Sequence, residues 1–532
     1  MIFHINATMP EQKSGIEHAE IQRFMLFKKN HIAQKLILRD WNPECHRQTK
    51  AAGIDDDDLI NMFDYFQKAT IVATQQLTIK DLDFGVVDLE FNDEPQNNRY
   101  LVVDNSKKLV ARVNYNNAET QRVKSVELFD GFGNLYRVDH YDIRGFKSLQ
   151  QWYTPDNKIE SETWLDVHGQ PVLESFFKTT KTVNHQSELT RTNWHLTFNE
   201  ISYDFDTIED LTIYFLDAIN QTFFNTLEPN IFILDRSHLA DYGLLHLKNP
   251  AYTVLHLHNS HAGDAQEPMQ SVLNNNYEFA MNALNQYDAV VSATPQQTRD
   301  IKLRFQPSVP LFTIPVGIVK DTLLHAKRVR VGERQFGKVV AFARIAWEKH
   351  LDDLVRAVGI VKEEIPEVSL DLYGYADPTD NFRAKRAVEA VIDKYHLGDS
   401  VTMKGYTTDI DAVENRAMIY GLTSRMEGFN LAIMEGIAHG LIALSYDVNY
   451  GPNEIVQDNI NGKIVPYGDY QAMANAMLTV LRDPRLAQRY SDGAYQSAER
   501  YSETNVMAAW QKLIEDANQK WQHKIAATNL GR

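Results

Sequence analysis

From Lys338 to Leu481 the sequence alternates short apolar runs of strand length with stretches of helical spacing. The strands are read at Lys338 to Ala343, Ser369 to Tyr373, Val401 to Lys404, Met418 to Thr423, Leu441 to Tyr446 and Lys463 to Pro466. The helices are read at Leu351 to Glu364, Phe382 to Tyr395 and Tyr470 to Leu481. That rhythm leaves few options: parallel strands joined by right-handed helical crossovers, the doubly wound α/β sheet. Ligands of such a sheet bind beyond the carboxyl ends of its strands.

One βα unit stands out. Ser424 to Gly440 reads as a strand end, a glycine turn and a short apolar helix closing at Gly440. The free N–H groups and dipole of such a helix start suit a phosphate ester. Glu427 precedes the helix and Glu435 lies in it; one helix through both would set them about 12 Å apart. At that distance they could reach hydroxyls on either side of a bound pyrophosphate, as in a nucleotide-sugar. Solvated surface glutamates are the competing reading, but the apolar flanks favour partly buried carboxylates that need partners.

The segment EGFNLAIME resembles the E-x7-E motif of the family 4 retaining glycosyltransferases, and HGLIALSYDVNYGPNEIV resembles that family's next βα unit. The likeness is strongest over residues 335 to 500. Near the amino terminus, SGIEHAE resembles a loop of bacterial glycosyltransferases that modify cell-surface proteins or teichoic acids. The resemblance implies a GT-B fold: two Rossmann-like domains facing a cleft. It also implies transfer of glucose or N-acetylglucosamine from a UDP-sugar, with retention, to a serine-rich adhesin or to poly(glycerol or ribitol phosphate) teichoic acid. A non-catalytic, acceptor-binding partner of an active sister subunit is the alternative.

The same resemblance assigns residues. Glu427 touches the hydroxyls of the donor sugar, the backbone amides of Gly428, Phe429, Asn430 and Leu431 hold phosphate and sugar, and Glu435 takes the ribose hydroxyls. Arg344 and Lys349, in ARIAWEKH, lie just past a strand end, where cations can neutralise a departing nucleoside diphosphate. Gly374 and the Gly405-Tyr406-Thr407 turn end two further strands and are placed at the base, with Tyr406 and Thr407 as contacts. Gly15 is a candidate for close backbone approach to a ligand.

Three histidines, His256, His258 and His261, crowd the end of an expected strand from Tyr252 to His258, whose alternation puts His256 and His258 on one face. A core histidine is one reading of either; the resemblance implies an active-site histidine, placed at His258. Zinc is disfavoured, since no cysteine and only Asp264 joins them. Asp204-Phe205-Asp206 mimics a metal-binding D-x-D but is read as a loop, so no metal or other cofactor is expected.

Between about Thr78 and Ser202 the character changes to short β-branched and aromatic segments: Arg99 to Val103, Leu109 to Tyr115, Val123 to Phe129, Leu135 to Tyr141, Glu160 to Leu165 and Pro171 to Phe177. Turn signals separate them, and FDGFGNLYRVDHYD and LDVHGQPVLESFF hint at a repeated hairpin. An antiparallel β-rich insertion is expected, whose long edges suggest a homo-oligomer or acceptor binding. The expected division is 1–77 and 206–317 for the first domain, 78–205 for the insertion, 318–501 for the nucleotide-sugar domain, and 502–532 for a helix returning to the first domain. Pro315-Val316-Gly317 is the expected hinge.

Composition sets outer limits. The 532 residues are too many for one core, and a net charge of −17 disfavours sequence-independent nucleic-acid binding. The lone cysteine, Cys45, leaves no internal disulfide. With no long apolar run and no signal-like start, the expectation is a cytoplasmic protein, with peripheral attachment to the inner face of the membrane left open.

Overall fold

The computed structural model describes residues 1–181 and 187–530. It divides into two compact units, one of residues 1–13, 32–251 and 524–532, the other of residues 14–31 and 252–523. The compact units therefore part at residue 251 and not at the expected hinge. The reason lies in the second unit. Val319 N–H donates to Tyr501 O at 2.8 Å, and a Cβ on Gly317 would stand 2.5 Å from Met434 Sδ, so the chain past Gly317 is packed down on both sides.

In the first unit, Ile2–Asn6 pairs in parallel with Ile231–Leu234 on one side and Gln34–Leu38 on the other, with Leu59–Asn61 beyond. Among the described residues, ten antiparallel strands from Glu90–Glu94 to Ile201–Phe205 follow one another in chain order as a meander. The sequence reading named six of these and passed over Glu90–Glu94, Lys147–Tyr153, Ser187–Phe198 and Ile201–Phe205. Those four carry more charged and polar side chains than an alternating pattern reveals.

The repeated hairpin is real, and its chemistry is an aspartate at the turn. Asp130 Oδ1 accepts from the N–H of Phe132 and of Asn134, both at 2.9 Å, and Asp166 Oδ1 from His168 and Gln170, both at 2.8 Å. Asp104 repeats the arrangement with Ser106 and Lys108. One end of the meander packs Leu149, Trp164, Leu173, Trp194 and Leu196 into a core with Phe63, Phe66 and Phe215. Beside it, buried Arg144 is clamped by Asp64 at 2.9 Å and Asp142 at 2.7 Å, and His46 bridges Asp56 and Asp64.

In the second unit, Tyr252–His256, Ala289–Ser292 and Leu311–Thr313 form parallel pairs. Six further parallel strands lie in the order Val401–Gly405, Ser369–Tyr373, Lys338–Phe342, Ile419–Leu422, Ile442–Tyr446, Gly462–Val465. Numbered along the chain this is 3-2-1-4-5-6, the doubly wound order, and it reverses between Lys338–Phe342 and Ile419–Leu422. Apolar clusters cover both faces of this sheet. The helix Pro484–Ala498, which the sequence pattern does not reveal, gives Ala487 and Tyr490 to one of them and Ala494 and Ala498 to the other. The helix Glu503–Leu530 sets Trp510 edge-on to Phe27 and to His256, and Tyr252 Oη donates to Asp516. No helix among the described residues is long and apolar enough to cross a membrane.

Candidate functional site

The crevice of a doubly wound sheet opens where strand order reverses, past the carboxyl ends of Lys338–Phe342 and Ile419–Leu422. The two segments carrying the expected chemistry leave from those two ends. The first runs through Arg344 and a short 3-10 turn, Trp347–Lys349; the second is Thr423 to Asn430. They meet in one ion pair across the reversal, Lys349 Nζ to Glu427 Oε1 at 2.8 Å, with both side chains largely buried. Arg425 N–H donates to Glu348 O at 2.7 Å and ties the segments a second time.

Arg344 is placed differently. It is held by Glu348 at 2.6 Å and Asp377 at 2.8 Å. Its charge is thus already shared, and serving a phosphate requires it to exchange one carboxylate.

The helix with Glu435 spans Leu431–Ala438, starting four residues after Glu427. One helix therefore does not run through both: Asn430, at φ +74°, caps the helix at its start, and Glu427 lies in the turn before it. Asn430 caps it, its Oδ1 accepting from Ile433 N–H at 2.9 Å, so one of the free donors of the helix start is occupied. Phe429 is core, edge-on to Tyr501 at 5.4 Å, and Leu431 is half-buried. Any ligand role of these two falls to the backbone.

Gly428 has a reason in the chain itself. A Cβ there would lie 2.1 Å from His258 O and 2.5 Å from Asn259 Cα, so only glycine lets the Glu427 turn touch the loop after Tyr252–His256. That strand ends at His256, two residues short of the expected end. His256 is core, its Nδ1 2.9 Å from Arg23 Nη1, whereas His258 is half-buried past the strand with its N–H on Tyr277 Oη. The strand stops short of His258, yet the two rings lie on one side as the alternation predicts, their centroids 4.4 Å apart. His261 is fully buried, with neither ring nitrogen paired among the described residues and its ring stacked on Tyr450.

Gly374, at φ +141°, presses against Ala343 O, and its N–H donates to Gly405 O at 2.9 Å. It lines a cavity of about 480 Å³ with Tyr375, Phe382, Arg386, Met403 and Gly405. Tyr406 is exposed beside this turn, and Thr407 Oγ1 accepts from Asp409 N–H. Gly15 opens the helix Gly15–Lys29, and no atom lies within 4 Å of its Cβ position, so nothing in the chain itself demands glycine there.

Sequence reasoning missed Trp347, Arg383 and Arg425. Two guanidinium groups lie over the indole of Trp347, those of Arg383 at 4.0 Å from the ring centroid and Arg425 at 4.5 Å. An exposed Trp beside a strand end was the available signal. His350, Asp352 and Asp353 gather with metal-like spacing, but Arg356 already pairs with both aspartates and Tyr446 Oη donates to Asp353. Asp204 of the D-x-D-like triplet is exposed on an outer strand of the meander, paired with His195.

Against known proteins, residues 327–497 match the family model described as Glycosyl transferases group 1, and residues 95–193 match the one described as GtfB middle domain. The pneumococcal O-GlcNAc transferase GtfA, solved with UDP and GlcNAc, superposes with a TM-score of 0.81 at 21% identity, covering 97% of this chain and 98% of that one. The fold is GT-B. A solved GtfA/B complex gives a TM-score of 0.73 at 20% identity, covering 97% of this chain and 99% of that one. In sequence, the chain is 24% identical over 536 residues to the GtfA subunit of a UDP-N-acetylglucosamine–peptide N-acetylglucosaminyltransferase of Streptococcus agalactiae, covering 97% of this chain and 99% of the relative. It is 27% identical over 400 residues to a poly(glycerol-phosphate) alpha-glucosyltransferase of Bacillus subtilis, covering 75% of this chain and 55% of the relative. The glycosyltransferase match of this GT-B chain falls on the six-stranded sheet and its strand-end site.

Proposed function

We propose that this chain is a glycosyltransferase that moves glucose or N-acetylglucosamine from a UDP-sugar to a bacterial surface acceptor, a serine-rich protein or a teichoic acid. One observation carries the reading: the Lys349–Glu427 pair sits across the point where strand order reverses, beside the amino end of the helix Leu431–Ala438. The diphosphate lies at that helix end, with Lys349 and Arg344 neutralising it as it leaves. Glu427 holds the sugar hydroxyls, His258 lies on the sugar side, Glu435 takes the ribose, and the cavity at Gly374 and Tyr406 takes the base.

Transfer proceeds with retention and without a divalent cation. The bond from the anomeric carbon to the phosphate oxygen breaks, the acceptor hydroxyl oxygen bonds to the same face of that carbon, and its proton passes to the departing phosphate. The protein supplies position, charge and exclusion of water. Since UDP-sugars are made in the cytoplasm, transfer takes place there. A partner of different sequence fits better than the homo-oligomer read from the sheet edges, because residues 95–193 match a GtfB middle domain and a chain of a solved GtfA/B complex superposes over 97% of this one.

The test is UDP release from UDP-glucose, UDP-N-acetylglucosamine and UDP-galactose, with and without teichoic acid or a serine-rich peptide, in EDTA. One donor with one acceptor is expected to turn over, and Lys349→Ala to lower kcat by about 100-fold or more. No release with any pair, with or without magnesium, overturns the reading and moves it to the non-catalytic partner.

A further inference from the structure

Glu435 is set in a surround that opposes its charge. Its carboxyl is half-buried and pushed up to about 7, mainly by burial; the Gln22 N–H works against that, Asp411 adds to it and Lys320 opposes it. Behind it, on the helix Ile410–Arg416, Glu414 is fully buried, and among the described residues neither of its carboxyl oxygens is hydrogen-bonded. Burial drives that carboxyl well up, Glu435 and Asp411 push the same way, and Arg334 opposes them. One turn on from Glu435, His439 Nε2 lies 3.2 Å from Asp411 and 3.4 Å from Glu414; Tyr420, wholly buried on the next strand, is the remaining titratable neighbour.

Among the described residues, one group donates a hydrogen bond to Glu435. It is Gln22, from the helix Gly15–Lys29, whose Nε2 stands 3.5 Å from Glu435 Oε1, the long limit for such a contact. The orientation of the amide is fixed from its other end. Ile318 N–H donates to Gln22 Oε1 at 2.9 Å, and a backbone N–H can only donate, so the NH₂ group must face the carboxylate. Ile318 itself cannot drift, because Gly317 lies against Met434 and Leu431 of the helix bearing Glu435. A side chain 413 residues away in sequence is thus clamped against that glutamate by the backbone after the expected hinge.

We propose that Gln22 is a positioning residue for Glu435: clamped by Ile318, its amide keeps the Glu435 carboxylate ionised and aimed to accept from the ribose hydroxyls of the donor. The proposal rests on the assignment of Glu435 to the ribose. Without Gln22, its own burial and the nearby Asp411 leave Glu435 protonated over a wider pH range, and a protonated carboxyl has lost half its capacity to accept.

The experiment is calorimetric titration of the full chain with UDP at pH 6, 7, 8 and 9, on wild type, Gln22→Met and Glu435→Gln. In the wild type, UDP binding should tighten as pH rises through the Glu435 transition. Gln22→Met should weaken it about two- to fivefold at pH 7, as a displacement of the transition by up to about one unit requires, with the gap closing by pH 9. Glu435→Gln should weaken binding at pH 9 and flatten the pH response. A Gln22→Met loss equal at every pH, or no loss at all, overturns the proposal. If Glu435→Gln binds like wild type throughout, the ribose assignment is what fails. Should Gln22→Met not fold, Gln22→Ala gives the same readout.

Discussion

In the meander, Gly133 and Gly169 close hairpins with no heavy atom within 4 Å of where a Cβ would stand. In the parallel sheet, a Cβ on Gly374 or Gly428 would lie 2.0 Å or 2.1 Å from a carbonyl oxygen. Charges divide the same way. Arg112 finds Glu127 on the neighbouring strand at 2.6 Å and Arg191 finds Glu162 at 2.6 Å, whereas at the strand-end site Lys349 and Glu427 share one bond, and behind it Glu414 is fully buried with His439 Nε2 3.4 Å away. The meander uses its charges in pairs between its own strands, although Arg112 Nε and Arg191 Nη1 keep no partner among the described residues. At the strand ends one ion pair bridges the reversal, and a charged, hydroxyl-rich donor would bind against it.

The sharpest way to break this contrast is a pair of alanines. Gly428→Ala should cut donor-dependent activity by about 100-fold or more, since backbone must move beside Glu427 and His258. Gly169→Ala should cost only about 1 kcal/mol of stability, the penalty for its positive φ, with activity unchanged. Equal effects would mean that the two regions do not differ as described.

Arg144→Met comes next. It leaves Asp64 and Asp142 buried without their cation, at about 3–5 kcal/mol measured by chemical denaturation. UDP affinity of the folded protein should stay within about twofold, and a tenfold fall would tie the meander's anchor to the donor site.

His261 gives the smallest effect. Burial, helped by Arg304, holds its pKa down to about 4. The unfolded chain takes up that proton near 6.5 and the folded one only near 4, so this contribution is complete above 6.5 and is lost as pH falls towards 4. It is at most about 3 kcal/mol, and His261→Phe should remove that part of the acid sensitivity. An unaltered acid limb would show that the ring is hydrated when folded.

What could be read in the sequence follows the range of the forces. The βα rhythm was legible because strand and helix periods are local, and the hairpin repeat because Asp130 and Asp166 bond two and four residues ahead. The strand at Tyr252 was read too long because Leu257 N–H still reaches Val291 O, so its apolar pattern runs past the last paired residue. The continuous helix assumed from Glu427 to Glu435 fails because one left-handed residue, Asn430, stands between them. Arg344 was recognised as a cation near the crevice, but its carboxylate at Asp377 comes from another strand end. Gln22 carries no motif at all, and only the fold brings it to Glu435.

The most direct measurement is the affinity of UDP and of its matching UDP-sugar for wild type and Glu427→Gln. If Glu427 holds the transferred sugar, both ligands bind the wild type saturably. The variant then loses about tenfold for the UDP-sugar while UDP itself binds within about twofold of wild type. No saturable binding of either ligand at millimolar concentration, or an equal loss for both, would contradict the placement of the donor at this strand-end site.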